Sequence, residues 1–231
     1  MHAISIALLL MLVQKPDVPP VPSLVVSGNA QILTAPDEAT VRLGIVRQAA
    51  GAQAAQEQAN AVAQEIMNGL ARLGVAAAEI QTSRLVLAPV YAPRSPESRE
   101  APRIVAYSAT NTMSVRLSRL SLVGPVIDAG LKAGANQVEG VQFGLRNETP
   151  ARQEALKRAV EEARSKAEVM AESLRVSLAE VLEASEGAVS VIPFADSAAQ
   201  RLVMPDAGTP VIPGQIQIHA NVTIKYRITP K

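Results

Sequence analysis

The sequence predicts an α+β protein: a largely antiparallel sheet built from strand-strand-helix units, with Ala-rich helices packed on it and a long third helix. Three observations carry that prediction. First, Ile216–Ile228 alternates strictly, with Ile216, Ile218, Ala220, Val222, Ile224 and Tyr226 on one face and Gln217, His219, Asn221, Thr223, Lys225 and Arg227 on the other. A strand with one wet face belongs to an antiparallel sheet. Second, strands come in pairs between helices, which does not match the one-strand, one-helix rhythm of a doubly wound parallel sheet. Third, Tyr107–Arg146 reads as strand, helix, strand with almost no slack, and it is nearly empty of reactive groups: Asp128 is the one acid in its helix.

In chain order, Leu24–Leu33 and Glu38–Val46 read as strands, and Thr34-Ala35-Pro36-Asp37 between them has turn chemistry that predicts a hairpin. From Gly51 to Leu73, Ala55, Ala59, Val62, Ile66, Leu70 and Leu73 recur at helical spacing. Gly74 stands where a glycine ends a helix. Ile80–Tyr91 is a third strand and Ala92–Pro102 a solvated loop. In Arg103–Ser118 the residues Val105, Tyr107, Ala109, Met113, Val115 and Leu117 share one face, with Asn111 the polar exception. A second helix spans Ser121–Ala133, where Pro125 is tolerable only within the first turn. Gly134-Ala135-Asn136 stops it, and Gln137–Arg146 follows as a strand.

Thr149-Pro150 is a helix start, with Pro at the first helical position. Leu156, Val160, Ala163, Ala167, Met170 and Leu174 then predict the buried stripe of the long third helix. Its outer face pairs Glu154 with Arg158, Glu162 with Lys166 and Arg164 with Glu168, a lattice expected to be solvated and worth about 0.2–0.5 kcal/mol per pair. Val181–Ser185 is a short strand, and Ala188–Pro213 reads as a loose, lid-like segment. The two strand-strand-helix units hint at a duplication, with no residue-level repeat.

Composition narrows the function. The chain has 231 residues, of which 48% are hydrophobic, enough for a real core. With three Tyr, two Phe and no Trp, that core packs thin, so Ala-rich helices must approach the sheet closely. The net charge of +1 is well mixed, which argues against a nucleic-acid footprint. Scarce aromatics remove the stacking platform for single strands. The absence of Cys excludes disulfides, thiolate catalysis and a lipoprotein cysteine. Ile4–Val13 is too short for a bilayer span, which needs about 20 residues. It fits the apolar region of a secretory signal, although Met1-His2-Ala3 carries no Lys or Arg. Residues 1–22 are therefore expected to be a signal-like segment and Pro-rich linker, and the destination periplasmic or secreted, with no stable transmembrane span.

Reactive patterns are scarce. His2 lies in the signal-like segment, so a Ser-His-Asp site would have to use His219, and no G-x-S-x-G elbow accompanies it. No His pair has zinc spacing. Glu161 and Glu162 are adjacent on a helix and point to different faces. Gly134-Ala135-Asn136 follows a helix, whereas a phosphate loop precedes one. The expectation is a non-enzymatic chain with no catalytic, cofactor-binding or metal residues and no cofactor.

Several ordered motifs together resemble the SIMPL-domain family: VSGNAQILTAPDEATVRLGI (26–45), GVAAAEIQTSRLVLAPVY (74–91), VAYSATNTMSVRLSRLSLVGPVIDAGLKAGANQVEGVQFGL (105–145), EALKRAVEEARSKAEVMAESL (154–174) and PVIPGQIQIHANVTIKYRI (210–228). The likeness covers residues 24–228, which makes 23–231 one SIMPL domain. Two departures stand out: Glu79-Ile80-Gln81-Thr82 where relatives often have Asp, and Arg175 where they often have Gly. If position 175 takes a positive φ, Arg costs roughly 1 kcal/mol there. The resemblance implies an exported cell-envelope protein, with relatives tied to oxidative-stress tolerance and ring-like self-assembly, and it implies no reaction. The expected partners are copies of the chain (a homo-oligomer) and envelope proteins. The alternative is a periplasmic small-ligand binding module with loops 92–102 and 188–213 over the site.

Overall fold

A computed structural model describes residues 21–93, 101–194 and 208–231, and it is α+β with every strand pairing antiparallel. The chain runs β1 (Ser23–Thr34), β2 (Glu38–Ala49), α1 (Ala52–Arg72), β3 (Ile80–Tyr91), β4 (Ile104–Leu117), α2 (Val123–Lys132), β5 (Gln137–Gly144), α3 (Thr149–Ser173), β6 (Val176–Glu186), β7 (Ser190–Phe194) and β8 (Gln215–Pro230). These strands form two sheets. In the first, β8 is central, with β1 on one side and β6 and β7 end to end on the other; the second has the order β3-β4-β2-β5.

The expected β1–β2 hairpin does not form. β1 pairs with β8, and β2 lies between β4 and β5. Pro36 cannot donate to a ladder, and Asp37 is tied elsewhere: its N–H donates to the Gly144 carbonyl at 3.1 Å, and its carboxylate accepts from the Arg146 N–H at 2.7 Å. Ala35–Asp37 thus carries the chain from one sheet to the other.

Each sheet buries one face under its own helices. On the second sheet, Val41, Leu43 and Ile45 of β2 and Met113 and Val115 of β4 pack against Ile66 and Leu70 of α1 and Val123 and Val126 of α2. On the first, Leu24 and Val26 of β1 and Ile216, Ile218, Val222 and Ile224 of β8 pack against α3. The alternation expected of β8 is present in full, its apolar row buried and its polar row half-exposed.

The helix ends follow local chemistry. Gly74 (φ 76°) and Gly134 (φ 106°) close α1 and α2 in the left-handed region that glycine enters without penalty. Pro125 lies in the first turn of α2, where its missing N–H is harmless. α3 ends at Arg175, which adopts φ 56° without glycine's freedom.

Two further expectations need correction. The stripe buried on α3 is Ala155, Ala159, Ala163, Ala167 and Ala171, whereas Val160, Met170 and Leu174 are exposed. The reason lies in β1, where Gly28 lets the helix backbone approach so closely that only methyl side chains fit between them. The segment 188–213 is not loose where described: β7 pairs with Gln215–His219, and Thr209 docks on α2. Its middle, like residues 1–20 and the tip of loop 92–102, lies outside the described residues.

Candidate interaction surface

The contact of α3 with β1 shapes one candidate surface. A Cβ on Gly28 would lie 1.9 Å from the Ala159 carbonyl oxygen and 2.6 Å from the Ala163 nitrogen. The alanine row sits on this line, and the larger side chains of α3 are displaced to its flanks. Val169 and Met170 therefore border, with Val25, Val26, Ser27, Ser165 and Lys166, a groove of about 400 Å³ between α3 and the edge of β1. Val169 is 62% and Val25 54% exposed, and Met170 beside them is exposed as well.

Among the described residues β1 is an edge strand, so its outer row of backbone groups has no neighbouring strand there. Two of those groups are met by α3. The Asn29 N–H donates to the Glu162 carboxylate, and Lys166 Nζ donates to the Ser27 carbonyl at 3.2 Å. Glu162 and Lys166 also pair with each other at 2.9 Å. The hydrogen bond from the Asn29 backbone, aided by Lys166, holds the Glu162 carboxyl below its ordinary value. The other expected pairs on α3 are present at 2.8 Å (Glu154–Arg158) and 3.0 Å (Arg164–Glu168) and only face solvent. Sequence reasoning treated all three alike. Nothing in the i,i+4 pattern distinguishes a pair that reaches across to a strand.

The second candidate surface is the β3–β4 hairpin. α1 lies mainly over β2 and β4 and reaches β3 only near Ile80, so among the described residues most of β3 is left exposed. Leu85 (59% exposed), Leu87 and Tyr91 of β3 and Ile104 and Val105 of β4 are all exposed. β3 is an edge strand whose one charge is Arg84. Pro89, which lacks an N–H, is tolerated because an edge strand needs no partner on its outer side. Alternation in β3 gave no warning of this, because a half-covered sheet and a fully covered one read the same along the strand.

The residues singled out for chemistry are dispersed. His219 lies on the wet face of β8, opposite Gln31 of β1 and Ser190 of β7. Asp128 accepts from Thr209 Oγ1 at 2.6 Å and from the Thr209 N–H at 3.3 Å, pinning the segment before β8 onto α2. Asn136 does more than follow a helix stop: its side chain accepts from the Val46 N–H at 2.8 Å and donates to the Val46 carbonyl at 3.1 Å, extending the β2–β5 ladder by one step. Arg47 adds a bond to the Gly134 carbonyl at 2.8 Å. Among the described residues, no three His, Cys, Asp or Glu side chains converge on a metal-sized point, and no helix is long and apolar enough to cross a membrane.

The chain is 28% identical over 212 residues to the 26 kDa periplasmic immunogenic protein of Brucella melitensis, covering 89% of this chain and 84% of that one. It is 28% identical over 169 residues to the uncharacterized protein YggE of Edwardsiella ictaluri, covering 73% and 70%. Against YggE of Escherichia coli K12 it is 27% identical over 171 residues, covering 74% and 68%. Residues 24–226 match the family model SIMPL, described as a protein of unknown function (DUF541). A match of that extent, from β1 into β8, makes the chain a member of the SIMPL family.

Proposed function

We propose that this chain is an exported, periplasmic protein that acts through its surfaces rather than through chemistry, associating with itself and with envelope proteins in the service of stress tolerance. The observation that carries the reading is the β3–β4 hairpin. It exposes Leu85, Leu87, Tyr91, Ile104 and Val105 together on an edge of low charge. Clustered apolar side chains on an unpaired edge gain by being covered, at about 25 cal/mol per Å² removed from water. Export is supported by the relative that bears a periplasmic name and by the apolar Ile4–Val13 segment. The non-enzymatic reading is supported by the dispersal of His219, Asp128 and the glutamates among the described residues.

Sedimentation velocity of residues 23–231 tests it. Association at micromolar concentration that Leu85→Ser/Leu87→Ser weakens, with thermal stability unchanged, is the expected result. A strict monomer removes self-association, and hydrolysis abolished by His219→Ala removes the non-enzymatic reading. The ligand-binding alternative keeps one observation in its favour, the apolar groove at Val25, Val169 and Met170. It predicts a thermal shift with a small apolar molecule, and a broad library giving none ends it.

A further inference from the structure

We propose that the Glu162–Lys166 pair is a guard on the free edge of β1, closing it against the addition of a strand from a second copy of this chain. The inference concerns an edge held shut and is independent of the β3–β4 surface through which association is proposed.

The geometry is that of a strand replaced by two side chains. In a parallel ladder, one residue of an added strand reaches two outward groups of its neighbour that lie two residues apart, accepting from one N–H and donating to one carbonyl. On β1 those two groups are the Asn29 N–H and the Ser27 carbonyl. Glu162 accepts from the first, and Lys166 donates to the second at 3.2 Å. The spacing fits: the four helical residues from Glu162 to Lys166 rise about 6 Å, and two residues of strand rise about 6.6 Å. The pair is also bonded to itself at 2.9 Å, so neither head needs a further partner. An incoming strand would have to break all three contacts and strip water from two charges.

The edge has something to guard against. Val25, Val169 and Met170 border the same stretch and are exposed. Unpaired backbone beside apolar cover is the combination that invites strand addition, and charged side chains at an edge are a recurrent defence. Among the described residues, the Glu154–Arg158, Lys157–Glu161 and Arg164–Glu168 pairs make no hydrogen bond to strand backbone and supply an internal control, whereas Arg152 reaches the Val189 carbonyl just before β7.

The test compares Glu162→Ala/Lys166→Ala with Lys157→Ala/Glu161→Ala, which removes an ordinary exposed pair of the same helix, and with Glu162→Gln, which keeps an acceptor oxygen. Residues 23–231 are followed by amide exchange at Asn29, by sedimentation velocity and by thermal melting. In the first variant the Asn29 amide is expected to exchange at least about tenfold faster and self-association to tighten at least about tenfold, with melting matching the control. Glu162→Gln is expected to keep the Asn29 amide protected. Unchanged exchange overturns the guard, as does faster exchange with association equal to the control. Association that rises equally in the Lys157/Glu161 variant overturns it too. Loss of association in Leu85→Ser/Leu87→Ser bears only on the proposed function, so the two can fail separately.

Discussion

Replacing Gly28 with alanine is the most direct test of how the two layers of the first sheet are held together. The added methyl would sit 1.9 Å from the Ala159 carbonyl oxygen, 2.6 Å from the Ala163 nitrogen and 2.9 Å from the Ala163 Cβ, where ordinary contact begins at 3.4 Å. Two of these three neighbours are helix backbone, so no rotamer change relieves the clash. α3 must move off β1 by roughly 1.5 Å to restore normal contact, and a gap of even 0.5–1 Å forfeits about a quarter to a half of the dispersion attraction along the alanine row. Overpacking of this kind costs about 1–3 kcal/mol, and a backbone clash belongs at the upper end. In a chain of this size about 3 kcal/mol lowers Tm by about 6–12 °C. Circular dichroism melting measures it, with Gly144→Ala as the control because nothing lies within 4 Å of that site. Amide exchange adds the location: protection should fall in β8 and persist in β4. If Gly28→Ala melts no lower than Gly144→Ala, the close approach of α3 to β1 is wrong.

Three more outcomes follow from single sites. Arg175→Gly should stabilise by about 0.5–1 kcal/mol, the relief of a left-handed residue less the greater freedom of glycine in the unfolded chain, and denaturant unfolding measures it. Asp128→Ala should cost about 2 kcal/mol and expose the Thr209 amide to exchange, because two hydrogen bonds to a carboxylate are lost; Asp128→Asn should retain part of the protection. Protection of the Asn29 amide should depend on acid in a defined direction. Glu162 is held below its ordinary value in the fold, so its contribution is fully present above about pH 4.5 and is lost only as pH falls through the lowered folded value. Protection that declines already between neutrality and pH 4.5 contradicts this account of Glu162.

How far the sequence could be read depended on whether a signal was local. β3 has the predicted bounds, Gly74 and Gly134 end their helices as predicted, and β8 buries the predicted row, because periodicity and positive-φ glycines act within a few residues. The failures share a different cause. The turn chemistry of Ala35–Asp37 is real, yet whether a turn joins partners or separates sheets is decided by Gly144 and Arg146, far along the chain. The buried stripe of α3 was misplaced because hydrophobicity ranks Val160 and Met170 above alanine, whereas the absence of a Cβ at Gly28 ranks alanine first. The candidate surfaces were legible only in composition: β3 is visibly apolar and poor in charge, but that α1 sits mainly over β2 and β4 is a property of the packing. The pairing of Glu162 with Lys166 was legible, but its reach to the β1 backbone required knowing which strand lies beside them.

The pairing of β1 with β8 has a consequence for how the protein comes into being. Ser27 and Thr223 hydrogen-bond across 196 residues of chain, so the central strand of the first sheet is synthesised after the three described strands that flank it. Every β1 pairing waits on it, and contacts of such separation are slow to form because the loop must close before the ladder repays it. The second sheet, complete by Gly144, can form first and hold the chain while β1 waits. During that interval the first strand is an unpaired, partly apolar segment, exposed to holdases and to other copies alike. The last strand is therefore also a clasp: until it arrives, the chain has one finished layer and one open hand.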